Sequence, residues 1–586
     1  MSLTNKDVAN KLREIFTLMQ LAGENRFRAI AFDRAAQSID NLNEDIQKLI
    51  DAERVTEIKG IGASIAEDIY KLAETGTIPV LESLKEDVPT ELISWLEISG
   101  LGPKNAYKIH KELEITSIAE LKKACENGQV ASLKGLGKKS AQKIASSIEW
   151  MQKFDERCRL DQALDIANQM IDYLKNIDGV DQIELAGSLR RSKETIGDVD
   201  ILIGATEAYS SSIFDAFVSH PLVVDILGKG DTKSSIRTES GRQVDLRIVK
   251  PQQFPAALMY FTGSKEHNVI LRQRAREREM SLNEYGLYGL DEKGNTNFDD
   301  PKPYNSEADI YQHLDLAFVP PELREGMGED LYFEQHDAMN LLSHDQIKGV
   351  LHTHSTYSDG KNSVGEMTQA CIERGYEYLV LTDHSQTASY AGGLTVDDLM
   401  RQWKEIDSLN HKYEEEGVDF KIYKAIESDI LSDGSLDYED HILEQFDLVL
   451  GSMHYGMDMP RKKIMTRLTN AIKNPFTRII GHPTGRLLLK REGSDLDMNE
   501  IIELAAEHKT VIEINANPRR LDLDWRHGNK AKEAGLMTSI NPDAHTIEGI
   551  DDIAFGVMIA RKAKFSPNRV LNTKNRQEFE QWIHSE

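Results

Sequence analysis

The stretch GSLRRSKETIGDVDILIG, from Gly187 to Gly204, sets two aspartates one residue apart at the mouth of an apolar run. Side chains alternate along a strand, so Asp198 and Asp200 share one face. A third acid, Asp245, lies in the strand-like segment QVDLRIV at 243–249. Carboxylates beside apolar segments are costly unless a cation meets them. Three of them converging on one spot call for a hard divalent ion, and Mg2+ bridging to nucleotide phosphates satisfies that chemistry. Two such ions would activate a 3′-hydroxyl and stabilise a pyrophosphate leaving group. Just upstream, Gly187 and Ser188 predict a tight turn whose backbone and hydroxyl face an anion. One of Arg190 and Arg191 can offer phosphate a bidentate fork. A surface acidic turn beside an N-cap is the plain alternative, and it leaves the combined Gly-Ser, Asp-x-Asp and Asp pattern unexplained.

Working outward, a helix over 160–175 leads into QIELAG, VDILIG, VVDILG and QVDLRIV, strand-like runs that predict an α+β sheet region. A shorter helical part follows to about residue 300. The acidic segment from Tyr304 to Asp337 is punctuated by Pro and Gly and reads as a linker. From Lys348 onward the short apolar runs YLVLTDH, DLVLGSMH, RIIGHP, TVIEINAN and MTSINPDAH alternate with helical stretches. That alternation predicts a parallel α/β barrel.

Before the sheet region lies a weak internal repeat: IKGIGASIAEDI at 58–69, ISGLGPKNAYKI at 98–109 and LKGLGKKSAQKI at 133–144. The paired glycines, Gly60 and Gly62, Gly100 and Gly102, Gly135 and Gly137, free the backbone to approach a ligand closely. The helix that follows each pair starts with unpaired N–H groups suited to phosphate. This is the helix–hairpin–helix pattern, a sequence-independent binder of DNA backbone. Three αα-hairpins with glycine caps would be the alternative. Repetition, and the lysines Lys104, Lys108, Lys138, Lys139 and Lys143, favour the DNA reading.

A second chemical constellation opens the C-terminal part. In HTHSTYSDG, His352 and His354 point to the same side of a strand, with Asp359 close behind. His384, Glu427, His454, His482, Asp543 and His545 follow where barrel strands should end, which is where such a fold builds its site. Nine residues of these types could hold about three ions, and imidazole with carboxylate suits Zn2+ or Mn2+ better than Mg2+. Such a cluster supplies hydroxide and stabilises the charge of phosphoester cleavage.

The chain carries a net charge of −27, which taken alone argues against nucleic acid. Residues 1–150 hold 20 basic and 23 acidic side chains and 151–320 hold 20 and 28, so 321–586 carry −16 of that total. The repeat region is thus nearly neutral. No run approaches a membrane span, and the N-terminus reads as an amphipathic helix start and not a signal peptide. Three scattered cysteines suit a reducing cytoplasm.

AGSLRRSKETIGDVDILI together with YFTGSKEHNVILR at 260–272 resembles the family X DNA polymerases, of the DNA polymerase β kind, over roughly the first 320 residues. The resemblance implies that Asp198, Asp200 and Asp245 hold two Mg2+ ions. It implies that Gly187, Ser188, Arg191 and Gly197 contact the incoming triphosphate, that Tyr260, Phe261, Gly263 and Asn268 line the sugar and base pocket, and that Arg272 touches the template side. A further arginine is expected on the triphosphate, and Arg157 and Arg159 both fit. A cis peptide is expected between Gly263 and Ser264. Lys265 departs from the smaller or acidic residue frequent in the family and could strengthen nucleotide binding. At the two positions where the family carries lysines for 5′-deoxyribose-phosphate lyase chemistry, this sequence has Ser64 and Asp68.

The histidine set closely resembles the polymerase and histidinol phosphatase (PHP) domain, over 346–586, with Arg486 and Lys490 as candidates for substrate phosphate. The whole is similar to bacterial or archaeal family X polymerases with a C-terminal PHP domain. That family implies a multidomain chain: a helical DNA-binding domain over 1–90, a helix–hairpin–helix subdomain over 91–150, an α+β nucleotidyltransferase palm over 151–255, a nucleotide- and template-binding subdomain over 256–320, a linker over 321–345, and a distorted TIM-like β/α barrel over 346–586. It further implies gap filling on DNA with dNTPs in base excision repair, a Mn2+-favoured 3′→5′ exonuclease, abasic-site cleavage in some members, and a cytoplasmic monomer. One alternative keeps the phosphoesterase and makes the polymerase half a DNA-holding device. Another is a DNA-binding scaffold with both metal sites degenerate, which predicts lost ligands; none is missing.

Overall fold

The computed structural model describes residues 3–40, 42, 46–58, 60–96, 98, 101–154, 157–290, 296–301, 303–329 and 340–585. The chain divides into two compact units, Met1–Asp155 and Glu156–Glu586.

Every regular element described in the first unit is a helix. The repeat shows why. The apolar residue between each glycine pair, Ile61, Leu101 or Leu136, is buried, as are Ala66 and Ile69, Ala106 and Ile109, and Ala141 and Ile144 in the following helices. Each second glycine stands immediately before a helix: Gly62 before Ala63–Thr75, Gly102 before Pro103–Leu113, Gly137 before Lys138–Phe154. The buried residue pins the hairpin to the core and leaves the glycines outside. Gly100 lies outside the described residues.

The second unit begins with a five-stranded sheet of β1 (Gln182–Leu185), β2 (Asp198–Gly204), β3 (Val223–Lys229), β4 (Lys233–Thr238) and β5 (Gln243–Val249), in the order β1-β2-β5-β4-β3. β2 and β5 run parallel and place Asp200 directly beside Asp245. The helix Leu160–Leu174 covers the sheet with a buried stripe of Leu160, Ala163, Ile166, Ala167, Met170 and Leu174. Helices Phe254–Thr262 and Lys265–Arg276 follow, joined by a cis Gly263–Ser264 peptide as the family resemblance implies. Next comes a three-stranded antiparallel sheet of β6 (Met280–Asn283), β7 (Gly286–Leu290) and β8 (Thr296–Pro301), where the sequence had suggested only helix.

The acidic segment from Tyr304 is not a linker over its described part. Glu307–His313 is a helix whose Ile310 and Tyr311 enter a core with Leu314, Leu316, Val319 and Leu323. Arg324 is fully buried, paired with Glu307 at 2.6 Å, and Glu307 also receives Arg190 at 2.7 Å. The charges that made the segment look solvated neutralise one another inside. Residues 330–339 lie outside the described residues.

The C-terminal part is a seven-stranded parallel sheet in sequential order: β9 (Gly349–Thr353), β10 (Tyr378–Leu381), β11 (Lys421–Asp429), β12 (Leu448–Ser452), β13 (Thr477–Ile480), β14 (Val511–Asn515) and β15 (Thr538–Asn541). A bridge between Thr353 and Ala544 brings the last strand back to the first, so the barrel is nearly closed. Every residue of β9, β10, β12, β14 and β15 is buried, as expected for a parallel sheet covered on both faces. Trp525 joins the barrel to the palm: its indole N–H donates to Glu194 at 3.0 Å, and Arg526 pairs with Glu194 at 2.7 Å. Among the described residues no helix is long and apolar enough to cross a membrane.

Candidate functional site

At the palm, one ligand atom from each of Asp198, Asp200 and Asp245 lies within 4.8 Å of the others. Gly187 and Ser188 begin a single helical turn, Gly187–Arg190. Gly187 has φ +61°, and any Cβ there would collide with the Asp200 carboxylate, so only glycine lets the turn approach the triad. Asp245 is met by Lys233 at 2.6 Å and by Gln243 at 2.9 Å. Burial pushes Asp245 up, but these contacts outweigh it and hold the group below the usual aspartate range. Burial and the neighbouring Asp198 and Asp245 drive Asp200 the other way, up to about 7. One acid neutralised by a lysine and one inclined to keep its proton is how a triad behaves when its cation charge is short, so the donor set fits divalent ions.

Asp200, Arg191, Tyr260, Phe261, Gly263, Asn268 and Arg272 line one open cleft of about 480 Å3. Asn268 donates to the Tyr260 carbonyl at 2.7 Å, and Arg272 to the Asn268 carbonyl at 3.2 Å. Lys193, Arg247 and Lys265 add positive charge to the same cleft. Arg190 is turned away, spent on Thr262 and Glu307, whereas Arg191 meets Glu325 at 3.1 Å and the Thr262 carbonyl. Of the two arginines left open, Arg159 pairs with Asp161 at 2.8 Å, and Arg157 bonds the hydroxyl and carbonyl of Thr195 beside Gly197.

At the barrel's strand ends the nine acids and histidines come together. His354, Asp359, His384 and His545 form one group; His352, His354 and Asp543 a second; His384, Glu427 and His454 a third. His482 belongs to none of these, but its Nε2 lies 3.1 Å from Glu427 Oε1. Glu427 is the hub, with His352 and His454 each at 3.2 Å and His384 at 2.9 Å. Those histidines outweigh burial and hold Glu427 well below the carboxylate range. His454, despite burial, is raised to about 10 by Glu427 and Asp429, whereas burial and the neighbouring His545 and His384 push His354 down to about 3. His352 Nε2, both ring nitrogens of His354, His384 Nδ1 and Glu427 Oε2 are buried and approach one another closely, yet none is aligned for a hydrogen bond. Buried polar atoms are normally satisfied, so this shared orphaning fits a site shaped for metal. His352, His482 and Asp543 also hold φ values of +62°, +21° and +53°, conformations that non-glycine residues adopt at a cost and that cluster at functional sites.

Sequence reasoning missed the residues that orient these ligands. Glu513, fully buried on β14, faces His352 Nδ1 at 2.6 Å; Asp429 faces His454 Nδ1 at 2.7 Å; Arg520 reaches Asp543 at 3.5 Å. Arg486, expected on substrate phosphate, instead spends its guanidinium on Asp524 and the carbonyls of Arg520 and Leu521, bracing the loop that carries Arg520. Lys490 is exposed.

Family models match as a helix-hairpin-helix domain over 3–78, a SAM-like helix-hairpin-helix tandem over 90–149, a DNA polymerase beta thumb over 257–325 and a PHP domain over 351–517. The chain is 40% identical over 581 residues to the DNA polymerase/3'-5' exonuclease PolX of Bacillus subtilis (strain 168), covering 99% of each chain. It is 24% identical over 343 residues to DNA polymerase lambda of Rattus norvegicus, covering 55% of this chain and 56% of that one. A protein of Thermoanaerobacter sp. (strain X514) named as a probable phosphatase is 28% identical over 240 residues, which are 39% of this chain and 91% of that one.

Proposed function

Because the chain belongs to the family X DNA polymerases that carry a C-terminal PHP domain, we propose that it fills short gaps in DNA during base excision repair and removes 3′-terminal nucleotides with its barrel. The observation that carries this reading is the presence of two separate sets of converging ligands, one beside a cationic cleft and one at the barrel's strand ends.

In the cleft, Asp198, Asp200 and Asp245 would hold two Mg2+ ions, which lower the barrier to attack by a primer 3′-hydroxyl and offset charge on the leaving pyrophosphate. Arg191 would fork onto the triphosphate, with Gly187, Ser188 and Gly197 close to it. Arg157, beside Gly197, is the better second arginine, since Arg159 is occupied by Asp161. Tyr260, Phe261, Gly263 and Asn268 would orient sugar and base, Lys265 would add attraction for the nucleotide, and Arg272 would meet the template. In the barrel, His352, His354, Asp359, His384, Glu427, His454, His482, Asp543 and His545 would hold about three Mn2+ or Zn2+ ions, which supply the nucleophile for phosphoester hydrolysis. Arg520, which meets Asp543 at 3.5 Å among the proposed ligands, is better placed to face a scissile phosphate than Arg486, which is spent on Asp524.

The exposed glycines 60, 62, 102, 135 and 137, and Gly100 with them, would let helix N-termini take DNA phosphates. A DNA substrate and the absence of an apolar spanning helix among the described residues suit action in the cytoplasm, as a monomer. The domain limits read from the sequence are kept as part of this proposal, with the packed residues up to 329 joined to the subdomain after the palm.

The test is primer extension and degradation on a one-nucleotide gap, with and without dNTPs, in Mg2+ and then in Mn2+. Extension with dNTPs and shortening without them are expected. Shortening without any extension would leave the palm as a DNA-holding device.

A further inference from the structure

Glu325 follows the short turn Pro321–Leu323, and its side chain is 7% exposed at the wall of the palm cleft. Three cations converge on its carboxylate. Arg191 lies at 3.1 Å, Lys193 at 3.0 Å and Lys562 at 2.6 Å. The first two line the cleft. The third comes from the barrel, at the end of the helix Ile553–Lys562, and its side chain is wholly buried. Lys562 also donates to the carbonyl of Arg191 at 2.8 Å and to that of Glu322 at 3.0 Å, so its three protons are all used. Trp525 closes the contact, with Lys562 4.4 Å and Lys193 5.4 Å from its ring centroid.

We propose that Glu325 and Lys562 set the nucleotide affinity of the polymerase cleft: Glu325 holds Arg191 and Lys193 in place when no triphosphate is bound, and Lys562 keeps the carboxylate neutralised when phosphate oxygens take Arg191. This rests on the polymerase reading above. A guanidinium bonded to a carboxylate through Nε is poised for phosphate but occupied. Displacement by a triphosphate leaves Glu325 beside a strongly anionic ligand in a partly desolvated place, where like charges repel strongly. A buried ammonium 2.6 Å away offsets that repulsion, and it is fixed by two carbonyls, so it does not follow the phosphate. Burial lowers Lys562 to about 8, and Lys562 and Arg191 outweigh the upward push of burial on Glu325, so both groups are charged at pH 7. Lys562 and Glu325 are positioning residues, and the barrel thereby takes part in a reaction it does not catalyse.

The test is single-nucleotide incorporation by the full chain on a one-nucleotide gap, for the wild type, Glu325→Gln, Lys562→Met and the double variant. Glu325→Gln should lower the KM for dNTP several-fold with little change in kcat, because it removes a competing anion. Lys562→Met should raise that KM about thirtyfold or more, the lower end of the effect of truncating one partner of a buried charge pair. The double variant should return to within about threefold of wild type, since there is no charge left to neutralise. A purely architectural lysine would give a KM defect that Glu325→Gln does not rescue, and that result overturns the proposal. If Lys562→Met does not fold, Glu325→Gln decides alone: an unchanged or raised KM overturns it. A wild type that fails to extend at all would instead remove the polymerase reading.

Discussion

Glu513 accepts a hydrogen bond from Nδ1 of His352 at 2.6 Å, and neither side chain has any exposed surface. The carboxylate fixes the tautomer and turns Nε2 toward Glu427 and Asp543. Its two oxygens also take the His482 backbone N–H at 3.0 Å and the amides of Asn515 and Asn541 at 2.8 Å, so it ties β14 to its neighbours as well. Glu513→Gln should therefore weaken metal retention by roughly 10–100-fold, measured by titration against a competing chelator. Unchanged retention would show that Glu513 serves only the fold.

Asp245→Ala should abolish nucleotide addition and leave primer shortening largely intact, whereas His352→Ala with His354→Ala should do the reverse and lower the metal content of the purified protein. The two ligand sets share no residue. Extension by Asp245→Ala at saturating Mg2+, or wild-type degradation by the double histidine variant, would contradict the assignment.

Asp200 supplies a pH dependence. Its folded value of about 7 lies above the ordinary 3.8, so between those limits the folded protein binds more protons than the unfolded chain. Stability from this group is then fully present below pH 4 and is lost as pH rises toward 7, by at most about 1.4 kcal/mol per pH unit. Divalent ions held by the ionised triad, as proposed, should stabilise more at pH 8 than at pH 5.5. Asp200→Asn should flatten both trends; equal slopes for variant and wild type in thermal unfolding would assign them elsewhere.

Lyase chemistry needs a neutral amine placed against an aldehyde. Ser64 and Asp68 occupy the two positions in question, and burial raises Asp68 above its ordinary value. Lys71, one turn on, is paired with Glu67 at 2.7 Å, which raises its pKa further; Lys59 lies outside the described residues. Borohydride trapping on an incised abasic substrate should give no adduct above a free-amine background. Efficient trapping lost in Lys71→Ala would show that the helix presents a nucleophile after all.

The candidate ligands were legible because each carries a local sign, either close spacing or a strand end. Asp198 and Asp200 are separated by one residue on a strand, and most of the barrel candidates sit where an apolar run stops, Asp359 excepted. What orients them was not. Glu513 is an isolated acid inside VIEIN, 161 residues from its partner, and nothing in its neighbours signals a ligand's hydrogen-bond acceptor. The acidic stretch after Tyr304 misled for the same reason: its burial depends on Arg190, 117 residues away. Arg486 follows a histidine motif at the spacing of a substrate contact, but Asp524 captures it. Charge pattern reveals a site when partners are near in sequence and hides it when they are not.

Trp525 has a consequence for anyone who would divide this enzyme. Its indole N–H and the Arg526 guanidinium are the partners of Glu194, an acid only 8% exposed within the loop that joins Arg191 to Asp198. A chain truncated before the barrel would leave that carboxylate bare and remove Lys562 from Glu325. The excised front half would then be a different electrostatic object from the one in the whole molecule, and its catalytic constants would describe the cut as much as the polymerase. Modularity in sequence, here, does not extend to modularity in charge.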